Sequence, residues 1–177
     1  IIGYGISINN KMVNADEAVM SQWAKVENQY QRRADLIPNL VNTVKGYASH
    51  EKETLDAVVN ARAKATQVTI SPDNLNEASL QKYQAAQGEL SQALGRLLMV
   101  TENYPDLKAN QNFLQLQEEV SDVENKLAAV RRYFNSATKE YNNAVQTFPS
   151  NIIAGMAGFR REIMFDLGTN ERANLEQ

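Results

Sequence analysis

The one histidine of the chain, His50, stands in Ala48-Ser49-His50-Glu51-Lys52-Glu53. An imidazole among carboxylates is a combination that can hold a divalent metal. Di-iron bundles, however, take their ligands from Glu-x-x-His pairs on two helices. Here Tyr47 stands three residues before His50, and there is neither a second histidine nor a cysteine. No metal or cofactor is expected, and His50 reads as part of a solvated helix face.

Three arginine pairs offer a second kind of chemistry. Arg32-Arg33, Arg131-Arg132 and Arg160-Arg161 carry guanidinium groups, which grip phosphate or carboxylate with two parallel hydrogen bonds. Neighbouring residues on a helix point about 100° apart, so one member of each pair shares a given face. Arg33 falls on the face that carries Tyr30 and Ile37, where burial demands a carboxylate: Asp35, Glu27 or one from another helix. Glu51 and Arg62 also interrupt an apolar face. Polar residues in such seams commonly fix register or oligomeric state. Catalysis would need a nucleophile, a base and an orienting group converging in one pocket. Serine and threonine here sit mostly in caps or on polar faces, and the chain reads as non-enzymatic.

The elements that position these residues are helices. In 177 residues there are only 8 Gly and 4 Pro, so few points force a helix to stop. A net charge of −3 leaves no basic footprint for nucleic acid. Large apolar residues at Met12, Val19, Trp23, Val26, Tyr30 and Ile37 line one face of a helix over about 11–36. Pro38 removes a donor and disfavours helix at Ile37, which predicts a junction there and a second helix over 38–67. The Ser71-Pro72-Asp73-Asn74 cluster precedes a third, over 75–103, which ends before Pro105. From Phe113 to Phe148 the apolar positions alternate three and four apart in a fourth helix, 109–148. That is a heptad seam. The expected fold is therefore all-α, an elongated antiparallel up-and-down four-helix bundle with coiled-coil-like packing.

Two short regions flank the bundle. Residues 1–10 are apolar and read as the end of an N-terminal membrane anchor or as a flexible lead-in. Residues 149–165 form a short amphipathic segment, in which Ile152, Ile153, Met156, Phe159 and Ile163 with Arg160 and Arg161 suit contact with a membrane or a partner. A polar tail follows over 166–177. An even number of helices returns the apolar segment to the membrane side. If Pro38 merely kinks one long helix, three elements carry it to the far end; folding back onto its own bundle is the third outcome.

The residues also resemble a known family. Gln29-Tyr30-Gln31-Arg32-Arg33-Ala34-Asp35-Leu36-Ile37-Pro38-Asn39-Leu40-Val41, followed by Thr43-Val44-Lys45-Gly46-Tyr47-Ala48, is similar to the signature of the LemA family. Glu102-Asn103-Tyr104-Pro105-Asp106-Leu107-Lys108-Ala109, Arg131-Arg132-Tyr133-Phe134-Asn135 with Tyr141-Asn142, and Phe148-Pro149-Ser150-Asn151-Ile152-Ile153-Ala154 agree with it in order and spacing. The resemblance implies a bacterial protein with one transmembrane helix ahead of a helical bundle, of unestablished role and without assigned catalytic residues.

The expected function is a non-catalytic, membrane-anchored scaffold at the bacterial envelope. It would assemble with itself or with a membrane-protein partner, because a long thin bundle leaves apolar faces uncovered. The alternative is a binding module for lipid or a small anionic ligand, using Arg32 and Arg33 or Arg160 and Arg161. Lys11 is the sole basic residue between Ile1 and Ser21, which favours a bundle outside the cytoplasm.

Overall fold

The computed structural model describes residues 1–71, 75–147 and 150–158, and they form six helices. These are α1 (Ile2–Tyr47), α2 (Lys52–Gln67), α3 (Glu77–Thr101), α4 (Pro105–Lys108), α5 (Gln111–Gln146) and α6 (Ser150–Ala157). The all-α class holds, with six helices where the sequence reading expects four. Phe148 and the tail over 166–177, both read from sequence above, lie outside the described residues.

The largest departure is at Pro38. No junction forms there: α1 runs through it for 46 residues, about 69 Å at 1.5 Å per residue. Residues 2–10, expected with Ile1 as the end of a membrane anchor or as a flexible lead-in, are its first turns. A proline inside a helix leaves the carbonyl four residues earlier without its donor. That carbonyl belongs to Ala34, and the Nε–H of Arg62 on α2 donates to it at 2.8 Å. A side chain thus replaces the backbone donor that Pro38 lacks. The break falls instead at Ala48 to Glu51, after Ala48 donates its last helical bond to the Val44 carbonyl.

Because the break moves rather than vanishes, the direction of travel is preserved. α1 and α5 are antiparallel along their length: Tyr47 meets Asn110, Thr43 meets Asn112, Arg33 meets Glu124 and Trp23 meets Phe134. Asn110 caps α5 by accepting from the Phe113 N–H at 3.0 Å. In α3, Asn76 and Ser79 form a reciprocal capping box. α2 and α3, with 16 and 25 residues, are far shorter than α1 and cover only its upper part. There Ile37, Leu40 and Val44 of α1 meet Leu55 and Val58 of α2, Leu90 and Leu97 of α3, and Phe113 of α5. A second cluster below it joins Val19, Trp23 and Tyr30 to Tyr83, Val123, Leu127 and Phe134. At the base the chain is reduced to α1, α5 and α6, where Ile8, Met12 and Ala154 form a third small cluster.

The α5 seam also broadens. Phe113, Leu116, Val120, Val123, Leu127, Phe134 and Tyr141 are buried as the heptad pattern predicts, but Asn135, Thr138 and Asn142 are buried beside them. Their spacing of three and four is that of a core stripe; their polarity hides it.

The Pro38 compensation predicts a non-additive pair. Arg62→Ala should lower stability in chemical denaturation by about 1–3 kcal/mol, since it strands a carbonyl in a part-buried position. In a Pro38→Ala background, where the backbone N–H returns, the same substitution should cost less than half as much.

Candidate functional site

About two thirds of the way up α1 from its first turn, a cation is enclosed by three helices. Arg33 is 1% exposed. Its Nη1 donates to Ser91 Oγ at 2.7 Å and to Glu124 Oε1 at 3.0 Å. Its Nη2 donates to the carbonyl and to the side-chain Oε1 of Gln87 at 3.0 and 2.7 Å. The guanidinium carbon lies 5.1 Å from the centre of the Tyr30 ring, a cation–π arrangement. The requirement for a carboxylate is met by Glu124 of α5. Asp35 instead accepts from Gln31 at 2.9 Å, and Glu27 pairs with Trp23.

An aromatic group supports this network. Trp23 packs edge-on to Tyr83 at 5.2 Å and tilted on Phe134 at 5.5 Å, while Tyr30 meets Tyr83 at 5.5 Å. Burial raises both phenols above their ordinary range; the nearby Arg131 and Arg33 charges partly oppose this at Tyr30. Burial likewise raises the Glu27 carboxyl, against the hydrogen bond from Trp23. Shallow openings of about 230 and 420 Å³ flank the network on two sides, and both are lined by Tyr30 and Gln87. The cation itself is held by protein groups.

The other residues singled out in the sequence disperse. Arg32 and Arg132 are exposed, and Arg131 lies beside Tyr30. Glu51 sits at the head of α2 and accepts from the Tyr104 hydroxyl at 2.9 Å; that bond holds the Tyr104 phenol above its usual range. Arg62 serves the Ala34 carbonyl. His50 is exposed in the turn between α1 and α2, rather than on a helix face.

In the apolar C-terminal segment, Ile152 and Met156 of α6 are 56% and 84% exposed. Ile153 turns inward: a Cβ placed on Gly5 would lie 3.9 Å from its Cδ1. Beside it Ala154, which sequence reasoning missed because alanine carries little apolar signal, is buried against Ile8 and Met12. So α6 folds back on the start of α1, not at the far end. Phe159, Arg160, Arg161 and Ile163 lie outside the described residues.

One further feature has no sequence signal. Where α2 and α3 stop short, the lower parts of α1 and α5 leave an open groove of about 640 Å³. Small residues line it, among them Gly3, Ala15, Ala18, Ala137 and Ala144.

Comparison with known proteins shows the family. The LemA family model matches residues 22–176. The chain belongs to the LemA family. Protein LemA of Metamycoplasma hominis is 23% identical over 94% of this chain and 73% of its own length. Magnetosome protein MamQ of Magnetospirillum gryphiswaldense is 23% identical over 86% of this chain, and MamQ 2 of Paramagnetospirillum magneticum is 23% identical over 88%. The chain spans 62% and 64% of those two relatives' lengths. Among the described residues no helix is long and apolar enough to cross a membrane.

The buried LemA-family arginine predicts two contrasts. Glu124→Gln, which removes the counter-charge of an enclosed cation, should destabilise by about 1–3 kcal/mol. Glu89→Gln, which breaks the exposed 2.8 Å pair with Lys64, should stay within about 0.5 kcal/mol. For Glu27 the sign follows from its raised folded pKa: the folded state holds the proton more tightly, so its ionisation removes stability as pH rises through the carboxylate range. Glu27→Gln should therefore be more stable than the parent at pH 7, with the gain fading as pH falls toward 4 in urea titrations.

Proposed function

We propose that this LemA-family chain is a non-catalytic, membrane-associated scaffold that works by assembly. On this reading α1, α2, α3 and α5 act as an elongated antiparallel up-and-down bundle with coiled-coil-like packing. A single-pass anchor ahead of α1 would place the bundle outside the cytoplasm of a bacterium. The observation that carries the proposal is the groove between the lower halves of α1 and α5. Its small side chains permit close approach of another helix, and neither α2 nor α3 reaches down to fill it. The magnetosome named in the MamQ relatives supports a membrane setting.

Self-assembly through that groove is the favoured use, with a membrane-protein partner as the other occupant. A ligand role for Arg33 finds no support, because its guanidinium is already engaged by Ser91, Gln87 and Glu124.

The test is the native mass of the intact protein extracted from its own membrane in mild detergent. A discrete multiple of the protomer mass is expected. Ala18→Glu, at an exposed position in the groove, should reduce that multiple to the protomer while leaving the helical circular dichroism unchanged. A parent protein that runs as a bare protomer would sink the proposal, and one protomer with extra mass would point to a partner.

A further inference from the structure

Among the described residues, charged side chains are absent from one end of this molecule. Every Asp, Glu, Lys and Arg among the described residues lies between Lys11 and Glu140. Residues 1–10 contain none, and neither does the stretch from Tyr141 to Gly158. These two stretches are far apart in sequence, yet the fold brings them together, because α6 packs on the first turns of α1 through Ile8, Met12 and Ala154. The uncharged part of α1, Ile2 to Asn10, is about 14 Å long at 1.5 Å per residue, a little under half the hydrocarbon thickness of a bilayer.

This end also exposes large apolar side chains that the fold leaves uncovered. Ile2, Tyr4 and Ile6 of α1 and Ile152 and Met156 of α6 are all exposed, whereas Ile153 and Ala154 on the other side of α6 pack inward. An eight-residue helix with one face docked on its own protein and the opposite face apolar and free of charge is built for an apolar phase.

The border between this end and the charged body is itself cationic. Lys11 of α1 and Lys139 of α5 line one open groove of about 390 Å³. The hydroxyls of Ser136, Thr147 and Ser150 line it too, and a single carboxylate, Glu140, shares it. Two lysines and three hydroxyl-bearing residues at the edge of an uncharged surface are of the types that donate to lipid phosphates.

We propose that α6 is a second membrane-contacting element: with the first turns of α1 it seats in the lipid interface, and the Lys11/Lys139 groove receives the phosphate of an anionic lipid. The contact depends on the membrane-associated reading above, and goes beyond an N-terminal anchor by assigning α6 and two lysines to the bilayer. Its failure would leave the detergent mass and the Ala18→Glu result untouched, so the two can be separated.

The chain has no cysteine, so single cysteines report cleanly. Met156→Cys on α6 and Met99→Cys near the opposite end, both at exposed positions, are labelled in the full 177-residue chain with a polarity-sensitive dye. Vesicles of phosphatidylcholine mixed with phosphatidylglycerol are then added. The dye at 156 should shift to the blue and be quenched by lipid-borne nitroxide, while the dye at 99 should not change. Adding Ile152→Asp should abolish the shift. Replacing both lysines (Lys11→Gln with Lys139→Gln) should weaken partitioning roughly ten- to thirty-fold, at about 1 kcal/mol per lysine near an anionic surface. No shift at 156, or equal shifts at 156 and 99, would overturn the proposal. So would a shift at 156 that appears without vesicles as protein concentration rises, because a second copy would then cover α6. Unchanged partitioning of the lysine variant would overturn the phosphate contact.

Discussion

A guanidinium cannot shed its charge and cannot be buried without partners, and that constraint organises this bundle. Enclosing Arg33 costs several kcal/mol of lost hydration, offset by well-placed acceptors on its two Nη groups, while its buried Nε has no hydrogen-bond partner among the described residues. Three of its acceptors come from Gln87 and Ser91 on α3, and the fourth from Glu124 on α5. Heptad seams alone are forgiving, since sliding one helix by seven residues restores apolar contact. Any such slip between α1 and α5 would carry Glu124 about 10 Å from Arg33. The buried cation therefore sets the axial position of two helices against a third, and the aromatic contacts of Trp23, Tyr30 and Tyr83 fall into place around it.

That pin also explains why the molecule is asymmetric from end to end. α3 is held at the level of Arg33, and α2 is held just above by Arg62 at the Ala34 carbonyl. Neither is long enough to reach the lower part of α1. From about Val19 upward the helices close around apolar cores, whereas below that level α1 and α5 form a helix pair with a groove along its side and α6 at its foot. The described surfaces with unfilled capacity, the groove and the uncharged end, both arise from this mismatch of helix lengths rather than from any special sequence motif.

Much of this was readable before the fold was known, and the reasons for the misses are physical. The apolar periodicity of Met12 to Ile37 and of Phe113 to Tyr141 located the buried faces, because burial of large side chains repeats with the helix. Arg33 was identifiable as a buried group needing a counter-charge from its place between Tyr30 and Ile37. Pro38 misled because its local effect is real, while its remedy, Arg62, lies on the next helix and carries no local mark. The real break at Ala48 to Glu51 has no proline, and the stretch contains only small and polar residues. Asn135, Thr138 and Asn142 were invisible to a search for hydrophobes. The inward turn of Ile153 depended on what α6 meets, which periodicity within eight residues cannot tell.

The two uncovered surfaces constrain one another. The groove and the foot adjoin: Gly3, Ile6 and Asn10 in the first turns of α1, and Lys11 at the rim, line the groove as well, so contact through one borders directly on contact through the other. The body above the foot belongs to a chain with a net charge of −3, so an anionic membrane attracts the Lys11 and Lys139 rim and repels the acidic remainder. Those opposed forces favour a bundle that stands up from the surface over one that lies flat. Two copies standing on one membrane point the same way, and any side-by-side pair that uses the groove on both copies must then have its two-fold axis along the membrane normal. An antiparallel pairing through the groove would lift one foot off the lipid by the length of the bundle. Membrane contact at α6 and assembly along α1 and α5 are thus compatible only in parallel arrangements, and the fold makes lipid contact a selector of assembly geometry.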